Sequence, residues 1–220
     1  MTSHRIIKSN RKTLSISVNE NAELIVRAPK RISNKEIQAF ITDKMNWVNN
    51  KQNLARTRIA EIKKDQGKYL YLGKLFPIII DNTCTKNVSF NGNEFVTSVE
   101  NQSIFNTSLK SWYKKRFKEI ALPRLIYFST KHNLKINQVR IKEQKTLWGS
   151  CSSKNNINLN YLLMMAPMLV IDYVIIHELV HTIHKNHSVA FWKVVEFIMP
   201  NYKDAKHWLK ENGYKIRVYS

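Results

Sequence analysis

The sequence predicts a fold of the α+β class, with short strands and long amphipathic helices in one chain. Two observations carry that reading. Short alternating or continuous apolar runs bounded by turn residues, such as "KTLSISV", "ELIVRAP" and "KINQVRIKEQ", read as strands. Longer stretches with apolar residues three or four apart, such as "PMLVIDYVIIHELVHTIH", read as helices.

In chain order, "KTLSISV" and "ELIVRAP" form a strand pair joined through "NENA" and ended at Pro29. "SNKE", Ser33 to Glu36, is a capping box. The Ser33 side chain can accept from the backbone N–H three residues on while the Glu36 carboxylate reaches back. Ile37, Phe40, Ile41, Trp47 and Val48 follow at near-helical spacing and predict one long helix to about Lys64, stopped at "DQG". "KYLYLGKLFPIII" reads as two strands around Gly73. "VSFNGNEFVTSV" reads as a hairpin whose Asn91 and Gly92 supply the positive φ angles of a type I′ turn. A helix is expected over 107–131, kinked at Pro123. "KINQVRIKEQ" and "INLNYLL" are strands on either side of the polar turn "SSKNN". Pro167 takes the first position of a helix running through "HTIH". Ser188 caps the helix "VAFWKVVEFIM", and "DAKHWLKEN" is a last helix with Gly213 as its terminating residue.

The chain has 220 residues and is 43% hydrophobic, enough for one domain with a core or two small subdomains. No apolar run reaches the ~18 residues that span a bilayer. "MTSHRIIKSNRK" lacks the apolar core of a signal peptide, and Cys84 and Cys151 alone make no disulfide framework. The expected location is therefore the cytoplasm, with no membrane partner. Lys plus Arg number 36 against 16 Asp plus Glu, a net charge of +20. Such an excess favours polyanionic partners, nucleic acid or nucleotides among them; a solvated basic surface is the alternative.

The chemistry concentrates in "HELVHTIHKNH", residues 177–187, where four histidines fall within eleven positions. Residues four apart share a helix face, so His177 and His181 present two nitrogens to one point, with Glu178 beside it. Glu178 can then take a proton from a metal-activated water without being a ligand. A catalytic zinc needs three protein ligands and one open position. His187, His184 and Glu196 compete for the third place. His184 lies seven residues, about 10 Å of helix, beyond His177 and reaches the metal poorly while the helix continues. His187 follows Asn186, a residue that tolerates the αL turn ending a helix, and the geometry favours it. His184 and Glu196 stay as the alternatives.

"WGSCSSKNNINLN", "VIDYVIIHELVH" and "NHSVAFW" together resemble the signatures of the YgjP-like family of metal-dependent hydrolases, a group similar to zincin-type, WLM and SprT-like proteases. "ELIVRAPKRIS", "YLGKLFPI" and "LKSWYKKR" extend the likeness along most of the chain. The resemblance implies a zincin-like metallopeptidase core with a β-rich N-terminal part, zinc on His177, His181 and His187, and Glu178 as base. It implies a β-rich region 1–105 with one long helix and a zincin-like catalytic region 106–220 carrying HELVH, the two expected to form one compact unit. One zinc per chain and a peptide or protein substrate follow. The metzincin pattern differs, since it has a glycine where this chain has His184.

Zincins align substrate along a strand beside the metal helix, and on that resemblance Trp148, Ser150 and Cys151 are candidates to line the cleft, with Ser152 beside them. The alternative is a turn at Gly149 with Trp148 in the core. Cys151 has no sequence-adjacent base and is not expected to be a nucleophile. A donor for the developing oxyanion is sought among His207, Tyr202, Tyr214 and Lys154, and spacing selects none. "LKSWYKKRFK" interleaves Lys110, Lys114, Lys115, Arg116 and Lys118 with Trp112, Tyr113 and Phe117. It is either a phosphate-and-base stripe or a solvated helix face. The expected function is a zinc-dependent hydrolase, foremost a metallopeptidase using a zinc-activated water. A nucleotide phosphohydrolase and a nucleic-acid-associated protein with structural zinc are the rivals.

Overall fold

A computed structural model describes residues 4–19, 21–144 and 146–219. The chain divides into two compact units, Met1–Gln66 and Gly67–Ser220. The described residues hold six α-helices and three sheets, an α+β chain.

In the first unit, β1 (His4–Ser9), β2 (Ser15–Val18) and β3 (Leu24–Pro29) form a sheet ordered β1-β3-β2. β2 and β3 pair antiparallel, as their alternation predicts, while β1 runs parallel to β3. β1 has an almost wholly exposed pattern and so carries no periodic signal. Leu24, Val26 and Ala28 point inward against Ile37, Ile41 and Val48. The capping box forms: Ser33 Oγ accepts from Glu36 N at 3.2 Å, and Glu36 Oε2 accepts from Ser33 N at 2.9 Å. The expected single helix is two, α1 (Asn34–Asp43) and α2 (Met45–Lys64). At Lys44 the backbone N–H is shared between the carbonyls of Phe40 and Ile41, a local tightening that interrupts the regular ladder.

The second unit begins with β4 (Lys68–Tyr71), β5 (Lys74–Ile80), β6 (Ser89–Phe90) and β7 (Phe95–Thr97), ordered β4-β5-β7-β6. The β6–β7 hairpin closes differently from the two-residue type I′ expectation. Phe90 pairs with Phe95, so the loop has four residues, and only Gly92 in it has positive φ. Asn91 instead turns its side chain back to accept from the N–H groups of Asn93 and Glu94. α3 (Gln102–Lys131) starts earlier than expected because Asn101 caps it, accepting from Ser103 and Ile104. It continues through Pro123. Its buried stripe runs Phe105, Leu109, Tyr113, Phe117, Ala121 and Leu125, every fourth residue. Residue 105, the sequence-based boundary, lies inside this helix.

β8 (Gln138–Lys142), β9 (Gly149–Cys151) and β10 (Asn156–Asn160) form a second sheet with β9 at its edge. "NYLL" leaves the strand at Asn160, whose carboxamide oxygen accepts from Leu162 N and opens a 3₁₀ turn, Tyr161–Met165. Pro167 is the N-cap, not the first residue, of α4 (Met168–Val180). α4 is apolar on every side and packs among α3, β9 and the two helices that follow, α5 (Val189–Ile198) and α6 (Tyr202–Val218). A two-pronged ion pair of Arg124 with Asp172 ties α3 to α4. α6 runs straight through Gly213, which was expected to end it. A Cβ there would stand 3.1 Å from the Trp148 ring, so this glycine serves a close approach between segments and not a helix stop. No helix among the described residues is long and apolar enough to cross a membrane.

Candidate metal centre

α4 ends one turn sooner than the apolar pattern predicts, at Val180, and His181 is its C-cap. The next residues fold into a tight loop, in which His184 N donates to Val180 O at 2.9 Å. His181 Nδ1 lies 2.8 Å from the His184 carbonyl oxygen. A carbonyl can only accept, so Nδ1 carries the proton and the Nε2 lone pair is free. His184 thus contributes through its backbone. The loop also carries Lys185, whose Nζ donates to Ser152 O at 3.2 Å and Asn155 Oδ1 at 2.6 Å. Those contacts bind the loop to the "SSKNN" turn. Ser188 then caps α5 by accepting from Phe191 N.

This path brings His187 back over the end of α4. Its Nε2 lies 3.0 Å from His177 Nε2 and 3.2 Å from His181 Nε2. The three histidines are the described group whose ligand atoms gather closely enough for a metal, all within 4.8 Å. Two nitrogens at tetrahedral angles around a zinc, with bonds of about 2.0–2.1 Å, stand about 3.3 Å apart. The spacings from His187 to both its partners therefore suit zinc. His184 is outside this cluster, and Glu196 is exposed and paired with Lys203 at 3.3 Å.

Electrostatics keeps the cluster ready for a cation. Burial, helped by the neighbouring His181, His187 and Lys206, pushes His177 down to about 3. Burial is also the main cause that lowers His181, against the opposing His184 carbonyl. Neutral imidazoles are the form that ligates metal. His177 Nδ1 is buried with no hydrogen-bond partner among the described residues. Glu178 is 5% exposed, and burial raises its carboxyl to about 8. A divalent cation nearby would oppose that rise and favour the carboxylate.

Three contacts to the site were not readable from the sequence pattern. Phe191 is fully buried, with its ring centroid 5.0, 4.6 and 4.9 Å from those of His177, His181 and His187. Trp192 stacks on His187 at 5.7 Å and on Tyr202 at 5.4 Å, and Lys206 Nζ sits 4.0 Å from the Trp192 ring. Gly149 faces Glu178: a Cβ on it would lie 2.7 Å from both Cγ and Oε1 of that side chain. The one sequence signal for the aromatic pair was the motif "NHSVAFW", in which both occur.

The other candidates are spread around this centre. Gly149, Ser150 and Cys151 form β9, which packs beside α4. Ser150 Oγ accepts from Asn158 Nδ2 at 3.0 Å. Cys151 is raised by burial, with Lys185 lowering and Glu178 raising it, so the thiol stays protonated and is a poor nucleophile. Trp148 is half-buried, beneath the Arg217 guanidinium at 4.6 Å. Asn160 fixes the approach to this strand, donating to Gln144 O and Leu147 O at 2.7 and 2.9 Å. Of the four oxyanion-donor candidates, Tyr202 is joined to the histidine cluster through the Trp192 stack, whereas His207 and Lys154 are exposed.

Residues 12–212 match the YgjP-like family, described as a metallopeptidase domain. No curated protein matches the chain.

Proposed function

We propose that this chain, which belongs to the YgjP-like metallopeptidase family, is a zinc-dependent peptidase whose centre is His177, His181 and His187 with Glu178 as general base. The reading is carried by His187 Nε2 standing 3.0 and 3.2 Å from the Nε2 atoms of His177 and His181, the three ligand atoms within 4.8 Å of one another, beside a buried carboxylate. A purely structural zinc has no use for such a carboxylate. Zinc, when bound, supplies Lewis acidity to a water molecule and to the scissile carbonyl.

The chain's own residues do the rest. The His184 carbonyl fixes the His181 tautomer, and Phe191 packs against all three imidazoles, so the donor nitrogens are preorganised. Glu178 accepts a proton from the attacking water at its carboxylate and delivers it to the departing amine. The edge strand β9 offers the peptide a backbone to lie along, in the manner of a zincin core, with Ser150 and Cys151 lining its path and Trp148 shaping the approach.

The test is a panel of zinc-loaded protein against peptides, unfolded protein and nucleoside triphosphates. Peptide-bond hydrolysis is expected, and Glu178→Gln should keep the metal while turnover falls by roughly 10²–10⁴. Hydrolysis confined to nucleotides, or near-normal turnover in Glu178→Gln, contradicts the proposal.

A further inference from the structure

α3 and the segment around β6 enclose a second cleft, of about 710 Å³, that shares no residue with the histidine cluster. One wall is a single face of α3: Ser108, Ser111, Trp112, Lys115 and Glu119 recur three or four apart. Lys86 reaches the cleft from the β5–β6 connection, and Phe90 from β6. The basic stripe of α3 is thereby sorted. Lys110 and Lys114 turn away to Glu143, at 2.6 and 3.9 Å, and Lys114 also lies over the Tyr161 ring. Lys115 and Arg116 line the cleft. Arg116 is held in place by Tyr71 Oη at 3.3 Å and Glu119 Oε2 at 3.0 Å.

Three cations, Lys86, Lys115 and Arg116, thus meet one carboxylate, Glu119, among the lining residues of a chain with net charge +20. They come from two segments far apart in sequence, unlike a single solvated helix face. The half-buried rings of Trp112 and Phe90 line the same cleft, as do serine and threonine hydroxyls. Cations and half-buried aromatic rings lining one cleft match a polyanion that also carries flat apolar groups. Single strands present unstacked bases beside phosphates, whereas a duplex keeps its bases stacked inside. An acidic polypeptide would answer the charge and leave the rings unused. We propose that this cleft binds single-stranded nucleic acid, with Lys86, Lys115 and Arg116 on phosphates and Trp112 and Phe90 against bases.

The experiment is fluorescence anisotropy of labelled 12-nucleotide oligo-dT and oligo-U with the full zinc-loaded chain, over about 50–200 mM salt. Log affinity should fall linearly with log salt, at about 0.7 per neutralised phosphate on a single strand. K86Q/K115Q should lower that slope by up to about 1.4 while leaving zinc content and thermal unfolding unchanged, since both side chains are exposed. K63Q/K64Q, on α2, removes the same charge outside the cleft and should leave the slope as it was. Trp112→Phe, which keeps an aromatic ring in place, should weaken both oligonucleotides at every salt concentration. Four results would overturn the proposal. They are no binding at 50 mM salt, an unchanged slope in K86Q/K115Q, an equal fall in K63Q/K64Q, or equal affinity for a polyglutamate of matched charge.

Discussion

Gly149→Ala probes Glu178, the proposed base, without touching a proposed metal ligand. The Cβ it adds would stand 2.7 Å from Glu178 Cγ and Oε1, where ordinary contact begins at 3.4 Å, so the two must separate by 3.4 − 2.7 = 0.7 Å. Glu178 has little room to yield, being 5% exposed. Gly149 does not need a left-handed φ, so its own backbone admits alanine. Overpacking of this kind costs about 1–3 kcal/mol, which in a chain of this size lowers Tm by about 2–12 °C. A displacement approaching 1 Å at a catalytic group costs about 10²-fold in rate, so turnover should fall by about 10–10²-fold. The His nitrogens are not in the clash, so zinc content should stay near one per chain. Peptide hydrolysis, metal analysis and a thermal melt read the three quantities together. In a Glu178→Gln background the added methyl should cost little further turnover, because the group it displaces is already disabled. Wild-type turnover in Gly149→Ala, or an undiminished effect in the Glu178→Gln background, would refute the reasoning.

Other outcomes follow from the same geometry. Metal-free protein should be most stable between about pH 4.5 and 6.5. His177, lowered from 6.5 to about 3, makes the unfolded chain the better proton binder below 6.5, so its contribution is lost as pH falls towards 3. Glu178, raised from 4.5 to about 8, makes the folded chain the better binder above 4.5, so its contribution is lost as pH rises towards 8. Those two cancel between 4.5 and 6.5, where the lowered His181 adds a further rise with pH, so the maximum lies towards 6.5, and outside that window His177 below it and Glu178 above it each contribute a slope of about 1.4 kcal/mol per pH unit; urea melts of chelated protein across pH 4–8 read it. Added zinc at 100 times its Kd should stabilise the fold by about 2.7 kcal/mol, visible as a higher Tm than in chelator. Phe191→Ala, which empties the space behind three imidazoles, should cost about 3–5 kcal/mol and weaken zinc binding, read by melts and by competition with a chromogenic chelator.

The parts of this site legible in the sequence are those that local periodicity controls. His177 and His181 share a face because they are four apart on a helix, and Glu178 follows from the same turn. His187 was favoured by ruling out the reach of His184 along a continuing helix. In the structure the helix stops at Val180, and the His181–His184 backbone contact shapes the return. The capping box at Ser33 and the β2–β3 pair were readable for the same local reason. What escaped depends on approaches between distant segments. Gly149 against Glu178 and Gly213 against Trp148 are single missing Cβ atoms, and no spacing marks them. Gly213 looked like a helix end because glycine usually is one there. The β1–β3 pairing joins an exposed strand to one twenty residues on, without alternation to announce it. The basic residues of α3 could be counted in the sequence, but only the fold shows that Glu143 takes Lys110 and Lys114 while Lys115 lines a cleft that Lys86 also lines.

The most direct test of a three-histidine zinc centre is metal analysis of four purified variants beside the parent chain. The parent should hold about one zinc per chain. His177→Ala, His181→Ala and His187→Ala should each lose it, because each removes one of the three converging Nε2 donors. His184→Ala should keep it, because the contact His184 makes to His181 is through a backbone carbonyl that alanine retains. A His187→Ala protein with full zinc content, or a His184→Ala protein without zinc, would contradict the account.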